Sequence, residues 1–165
     1  MTTIAICDRY IAADGLCTAG ERILATDFVK IRFRGGRFYA ITGLESAFDA
    51  AIRWHEAGAD PASLPICPGE PKESWWGLVV LSSTGLVRYA SDLCWPELHS
   101  APFAAGSGRD FALGAMWAGA NAIEAVRLVA DRTIHSGGKI VSYEYPGLLE
   151  RKPSRSVRKP QIVVA

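Results

Sequence analysis

The sequence predicts a layered α+β domain, and this prediction depends on three observations. Segments rich in β-branched and aliphatic residues dominate the chain up to residue 41. Two segments, 46–58 and 109–132, carry apolar residues at helical spacing. Further β-prone segments at 76–90 and 140–145 lie between and after them. Because the apolar face of a sheet must be covered, this order favours sheets packed against helices.

The first part of the chain is predicted to form antiparallel hairpins. Asp14-Gly15 is a turn pair that ends the second strand, and Gly35-Gly36 has the composition of a tight turn between the third and fourth strands. The four predicted strands are Thr3–Cys7, Tyr10–Ala13, 29–33 and 38–41. A further hairpin is expected from strands 76–81 and 85–90, followed by an irregular segment at 96–102.

Two helical regions are predicted from residue spacing and end signals. Ser46 and Asp49 match the S-x-x-D form of a helix capping box, and Gly58 is placed to end that helix. The longer segment, 109–132, is expected to break near residues 119–121.

Length and composition indicate one globular domain without a strong charge bias. The chain has 165 residues, of which 49% are hydrophobic and 21% charged, and its formal net charge is +1. No global field therefore favours a nucleic acid or a membrane surface as a partner. We assign residues 1–150 to the domain and residues 151–165, rich in lysine and arginine, to a basic C-terminal tail.

The cysteines and the hydropathy pattern favour a cytoplasmic protein. The cysteines form no C-x-x-C pair and have no zinc-like spacing with histidines, so we interpret them as reduced thiols. No apolar run reaches the ~18 residues of a spanning helix. Asp8 and Arg9 interrupt the N-terminal apolar segment where a signal peptide would continue.

Thr2 would become the N-terminal residue if Met1 were removed, and an N-terminal threonine combines a nucleophile and a base. Its free α-amine has a pKa of about 7.7–8.0 in model peptides, so a usable fraction is unprotonated at neutral pH. The amine takes the hydroxyl proton as the oxygen attacks a carbonyl. Such a site needs a lysine near the alkoxide, a carboxylate that holds the lysine, and backbone N–H groups that face the oxyanion.

Several motifs resemble those of proteasome β-type subunits, and of the HslV-like branch in particular, in the same order along the chain. The motifs are Thr2-Thr3-Ile4-Ala5-Ile6, Ala12-Ala13-Asp14-Gly15, Val29-Lys30-Ile31, Gly106-Ser107-Gly108 followed by Phe111-Ala112-Leu113-Gly114, and Ser136-Gly137-Gly138. The resemblance implies the four-layer αββα sandwich of the N-terminal nucleophile (Ntn) hydrolases. It also implies a threonine endopeptidase.

The resemblance implies a role for each matching polar residue. Thr2, after removal of Met1, would be the nucleophile, with its own amine as the base. Lys30 would stabilise the alkoxide, and Asp14 would anchor Lys30. Ser107 would hydrogen-bond the amine, directly or through water.

Two further functional features depend on backbone atoms. The family usually has a Gly-rich stretch at the oxyanion position, where an ungapped alignment places Thr42 and a shift of one residue places Gly43. In the HslV-like branch, carbonyl oxygens bind a monovalent cation, for example a structural Na+. The matching residues here are Ala130, Thr133 and Ser136. The chemistry itself needs no cofactor.

The resemblance also implies an assembly and a substrate class. We expect a homo-oligomeric ring whose sites face an inner chamber, polypeptide substrates, and a separate ATP-dependent unfoldase. Two alternatives stay open: a catalytically silent structural ring subunit, and an Ntn amidase that acts on small molecules. The resemblance places the first substrate pocket near Cys17, Phe28, Thr42 and Ser46, none of which is charged. Cleavage after small or medium apolar residues is therefore expected.

Overall fold

Antiparallel sheets and short helices form the described part of the chain. The computed structural model describes residues 2–65, 75–92, 96–134 and 136–145. The strands are β1 (Thr3–Cys7), β2 (Tyr10–Ala13), β3 (Cys17–Ala19), β4 (Arg22–Ala25), β5 (Ile31–Arg34), β6 (Arg37–Gly43), β7 (Trp76–Ser82), β8 (Gly85–Ala90), β9 (Glu97–His99), β10 (Phe103–Gly106) and β11 (Val141–Glu144). The α-helices are α1 (Phe48–Glu56), α2 (Arg109–Trp117) and α3 (Ala122–Arg132), and 3-10 turns lie at Glu45–Ala47 and Pro61–Ser63.

The strands form two main sheets and one small hairpin. The first sheet has four strands in the order β10-β1-β2-β11, and the second has five in the order β5-β6-β7-β8-β9. Strands β3 and β4 form a separate two-stranded hairpin. All neighbouring strands are antiparallel.

Alternating residues of β1 belong to two different apolar clusters. Ile4 and Ile6 pack in a cluster with Phe38, Val79 and Leu81 of the second sheet. The intervening residues of β1 pack in a cluster with buried residues of α2 and α3. Because successive side chains of a strand point to opposite faces, β1 is buried on both sides. The candidate nucleophile Thr2 therefore directly precedes a strand that is packed on both faces.

Helix α1 packs on the second sheet through a third cluster. Phe48 and Ile52 of α1 pack there with Tyr39 of β6 and Trp76 of β7. Trp54 joins them and meets Trp76 edge to face, with ring centroids 5.9 Å apart. Trp76 pairs with Gly43 at the end of β6, so this cluster lies directly beside the candidate oxyanion residue.

Several sequence predictions are confirmed. The β1–β2, β5–β6 and β7–β8 hairpins form with the expected pairing. The long helical segment breaks where predicted, because Gly119 has φ +105° and Asn121 caps α3. The Asn121 side chain accepts from the backbone N–H of Glu124, whose own side chain accepts from the N–H of Asn121.

The predicted helix cap at Ser46 is wrong. The residue at the N-cap of α1 is Ala47, which makes no side-chain capping bond. A 3-10 turn comes first, and the carbonyl of Glu45 accepts the N–H of Phe48. The first backbone donor of the helix, the N–H of Phe48, therefore has a partner without a polar cap.

The segment predicted to be irregular at 96–102 contains β9, which pairs with β8. The β3–β4 hairpin and β10 were not predicted from the sequence. The tail at 151–165 lies outside the described residues, so the domain boundary at residue 150 stays a prediction. Within the described ranges, no helix combines the length and the hydropathy needed to cross a membrane.

Candidate active site

Thr2 precedes β1 and lies against the turn that follows β10. Its backbone nitrogen donates to Ser107 Oγ at 3.2 Å, and Ser107 Oγ lies 3.3 Å from the Thr2 carbonyl oxygen. The N–H of Gly108 also donates to that carbonyl, at 3.4 Å. The pairing of Thr3 with Gly106 in the β1–β10 ladder sets this register. The structure thus brings together the predicted nucleophile and the serine predicted to contact its amine.

The two glycines of the Gly106-Ser107-Gly108 turn allow this close approach. Gly106 has φ +92°, and a Cβ there would collide with the carbonyl of Thr2. A Cβ on Gly108 would collide with the hydroxyl of Thr3. The turn can therefore present Ser107 to Thr2 because two of its residues have no side chain.

Asp14 and Lys30 form a buried ion pair next to Thr3. Their side chains are 0% exposed, and Lys30 Nζ lies 3.0 Å from Asp14 Oδ1. The backbone N–H of Thr3 donates to the same oxygen at 2.7 Å. Lys30 also donates to the carbonyl of Leu16 at 2.7 Å, and Asp14 Oδ2 accepts from the N–H of Gly137 at 3.1 Å. Hydrogen bonds to both partners satisfy charges that would otherwise be costly to bury.

A cleft of about 570 Å³ brings Thr2 and Ser107 together with the two candidate oxyanion residues. Its lining includes Thr2, Thr42, Gly43 and Ser107. Thr42 is 1% exposed and its hydroxyl donates to the carbonyl of Gly77 at 3.3 Å. Gly43 is exposed, with φ +80°. These observations favour Gly43 over Thr42 as the residue whose backbone faces the cleft.

One wall of the cleft carries charged residues that the sequence analysis missed. Arg88 Nη1 donates to Glu97 Oε2 at 2.6 Å, and His99 Nε2 lies 3.4 Å from the same oxygen. The hydrogen bond from Arg88 lowers the pKa of Glu97 below its ordinary value, with the charges of Arg88 and His99 contributing. The Arg88 guanidinium also lies over the ring of Trp75, 5.6 Å from the ring centroid. Only the pairing of β8 with β9 brings Arg88 and Glu97 together.

A second cavity, of about 510 Å³, shares Gly43 and Trp75 with the cleft. Of the residues predicted to line a substrate pocket, Cys17 and Ser46 border this cavity, and Thr42 borders the cleft instead. Phe28 borders neither.

The residues predicted to hold a cation lie at and beyond the end of α3. Ala130 is in the last turn of the helix and Thr133 is its C-cap. The last carbonyl groups of a helix lack intrahelical partners, and carbonyl oxygens suit a hard cation. Ser136 is buried, and its hydroxyl donates to Thr3 Oγ1 at 2.8 Å. Carbonyl oxygens are the donor type that such a cation prefers, so the cation site stays a prediction, and the Ser136 hydroxyl links this part of the chain to the start of β1.

Comparisons with known proteins identify the fold. No family model matches the chain, and no curated protein matches its sequence. The structure matches HslV from Trypanosoma brucei with a TM-score of 0.65 and 16% identity, covering 88% of this chain and 100% of that one. The chain has an HslV-like, proteasome-type fold.

Two structures of BPH from Thiobacillus denitrificans also match this HslV-like fold. The complex of BPH with epoxomicin has a TM-score of 0.64 and 21% identity, covering 86% of this chain and 96% of that one. The other BPH structure has a TM-score of 0.60 and 23% identity, covering 86% and 95%. The predicted α+β class is confirmed by this likeness.

Proposed function

We propose that the chain is a threonine endopeptidase subunit in which Thr2 attacks peptide bonds. The observation that carries this proposal is the meeting of Thr2 and Ser107 at the cleft, with the buried Asp14–Lys30 pair hydrogen-bonded to the adjacent Thr3. The HslV-like fold supports it. Each of the four site residues directly precedes or follows a strand: Thr2 precedes β1, Asp14 follows β2, Lys30 precedes β5 and Ser107 follows β10.

Removal of Met1 would convert the nitrogen of Thr2 from an amide into a free α-amine. Ser107 Oγ already lies 3.2 Å from that nitrogen and would orient the amine. The amine would take the proton of the Thr2 hydroxyl, directly or through a water, as Oγ1 attacks the substrate carbonyl. The positive charge of Lys30 would lower the cost of the alkoxide.

The tetrahedral intermediate would carry its negative charge at the boundary of the cleft. The backbone N–H of Gly43 would donate to that oxyanion. Collapse of the intermediate breaks the peptide C–N bond, and the leaving amine takes the proton from the Thr2 ammonium. A water then hydrolyses the ester on Oγ1 and regenerates Thr2.

The surface supports a ring of identical chains as part of the proposal. Phe111, Trp117 and Leu128 of α2 and α3 are 59%, 73% and 45% exposed. Large exposed apolar side chains on adjacent elements are typical of interaction surfaces. A closed chamber of polypeptide-cutting sites would need a separate ATP-dependent unfoldase in the cytoplasm. A monovalent cation at the α3 loop would have a structural role.

The three apolar clusters support the four-layer αββα arrangement as the proposed architecture. One cluster joins the two sheets, one joins the first sheet to α2 and α3, and one joins the second sheet to α1. This arrangement would place the start of β1 and the end of β6 at the same cleft.

Hydrolysis of fluorogenic peptides by purified protein, with its N-terminus confirmed as Thr2, tests the proposed function. Thr2→Ala should abolish turnover, and Thr2→Ser should keep a measurable fraction because hydroxyl and amine both remain. Thr84→Ala, a matched change in the exposed turn between β7 and β8, should leave kcat/KM unchanged.

Absence of cleavage by wild-type protein, with any required unfoldase supplied, would contradict the proposal and favour the silent ring subunit. Turnover that survives Thr2→Ala would also contradict it, since a different nucleophile would then act. Cleavage restricted to small-molecule amides would favour the amidase alternative.

A further inference from the structure

The second cavity adjoins the position at which the substrate carbonyl would lie. Gly43 and Trp75 border both this cavity and the cleft that contains Thr2. If the N–H of Gly43 binds the oxyanion, the attacked residue lies at this boundary, and its side chain enters one of the two spaces. The described lining of the cleft includes Arg88 and Arg109 but only one carboxylate, Glu97, which is paired with Arg88, so the excess positive charge disfavours a cationic side chain there.

The second cavity, in contrast to the cleft, has a negative charge in its described lining. Glu45 is the one charged residue among the described residues that line it. Its Oε1 atom is buried and has no hydrogen-bond partner among the described residues, and the donor next to the carboxylate is the Cys17 thiol, which is a weak one. A stronger donor that enters the cavity would therefore be stabilised by this carboxylate.

The other lining residues suit a long side chain with an apolar stem. Leu24, Leu44 and Trp75 provide apolar surface. Burial, and then the nearby carboxylate of Glu45, raise the pKa of the Cys17 thiol, so the thiol adds no negative charge of its own at neutral pH. Lysine and arginine side chains pack their methylene groups on apolar surfaces and keep the charged group at a polar end.

We propose that this cavity binds a lysine or arginine side chain of the substrate, at the residue whose carbonyl Thr2 attacks. This inference rests on the proposed function and names its substrate class. It differs from the apolar preference expected from Cys17, Phe28, Thr42 and Ser46, a set that does not include Glu45. An ammonium or guanidinium group would donate charge-assisted hydrogen bonds to the carboxylate.

Paired peptide substrates that differ at the attacked residue test this inference. Lysine and norleucine have similar apolar stems, and only lysine carries the charge. Wild-type protein should cleave the lysine peptide with a kcat/KM about 10- to 100-fold higher, the range expected for one charged hydrogen bond. Glu45→Gln should reduce that ratio to near one, chiefly by lowering kcat/KM for lysine.

Glu21→Gln is the matched control, since it removes one carboxylate from the exposed turn between β3 and β4, outside the cavity lining. The lysine-to-norleucine ratio of this variant should equal that of the wild type. The wild-type ratio tests the inference even if Glu45→Gln fails to fold. A wild-type preference for norleucine, or a lysine preference that Glu45→Gln leaves intact, would overturn the inference.

The peptidase function and the assignment of the second cavity to a lysine or arginine side chain can be refuted separately. Cleavage of the norleucine peptide that depends on Thr2 but shows no lysine preference would overturn the cavity assignment and leave the peptidase intact. Absence of cleavage of every peptide, together with absence of covalent labelling at Thr2, would overturn both.

Discussion

Substitution of one partner of the buried Asp14–Lys30 pair is the perturbation whose effect on the free energy of unfolding follows most directly from the structure. Both side chains are 0% exposed, with 3.0 Å between Lys30 Nζ and Asp14 Oδ1. Removing one partner of a buried pair leaves an uncompensated charge and typically costs about 3–5 kcal/mol. Since a domain is stable by only about 5–15 kcal/mol, each single substitution removes a large share of the free energy of unfolding.

The two single substitutions should differ in cost. Lys30→Met leaves Asp14 with backbone donors from Thr3, Leu16 and Gly137, which continue to solvate its charge. Asp14→Asn leaves the Lys30 ammonium and places an amide NH2 toward at least one of those donors. We therefore expect Asp14→Asn to cost more. The double variant should cost less than the sum of the singles by about 2 kcal/mol or more, because no lone charge remains.

Urea unfolding followed by tryptophan fluorescence measures these costs, at one fixed protein concentration because assembly would add to stability. The exposed pair Arg9–Glu144, 45% and 51% exposed, is the control cycle. Exposed pairs contribute about 0–1 kcal/mol. A coupling energy for Asp14 and Lys30 no larger than that of Arg9 and Glu144 would refute the reasoning.

Further predictions concern activity, packing, pH and assembly. Lys30→Ala should lower kcat about 100-fold or more in protein shown to be folded by circular dichroism; a drop under threefold would contradict its role. Gly108→Ala should cost about 1–3 kcal/mol in urea unfolding through its collision with a buried hydroxyl. Gly114→Ala, where the added methyl group would meet open space on α2, should not destabilise the protein. Equal losses of unfolding free energy in the two variants would refute the predicted collision at Gly108. Burial, and then the charge of a nearby arginine, lower the pKa of His55. The unfolded chain therefore binds the extra proton first, and stability should fall as pH drops below about 6.5, less so in His55→Gln. If the urea midpoint of His55→Gln changed with pH as steeply as that of the wild type, this prediction would be wrong. Trp117→Gln should reduce the mass measured by light scattering; a monomeric wild type would contradict the ring.

The sequence predicted those parts of the fold whose signals are local. The β1–β2 hairpin depends on short apolar segments on either side of Asp8-Arg9, and the break before α3 depends on Gly119 and Asn121. Both signals lie within a few residues of the structure they determine. The catalytic roles of Asp14 and Lys30 came instead from the resemblance of their motifs to those of proteasome β-type subunits, and these roles stay predictions.

Features that depend on tertiary pairing were not predictable in this way. Strand β9 exists through its pairing with β8, which joins Arg88 to Glu97. The polar cap expected at Ser46 is unnecessary because a preceding turn already provides a carbonyl. No local sequence pattern marks Glu45 as a site residue, since only the folded chain places it in the lining of a cavity beside Gly43.

The covalent probe for the central claim is suggested by a protein of similar fold. BPH from Thiobacillus denitrificans has been solved in complex with epoxomicin, a peptide epoxyketone. An epoxyketone forms bonds with both the hydroxyl oxygen and the free amine of an N-terminal threonine, and its epoxide opens without loss of atoms. The adduct therefore weighs the sum of protein and probe, and it requires both functional groups of Thr2.

Intact mass of the purified protein, measured before and after treatment with epoxomicin, tests the central claim most directly. We predict a chain that lacks Met1, gains the mass of one epoxomicin and carries the adduct at Thr2, whereas Thr2→Ala gains nothing. A chain that retains Met1 as its only form, or one that begins at Thr2 and stays unmodified, would contradict the claim that Thr2 is the nucleophile.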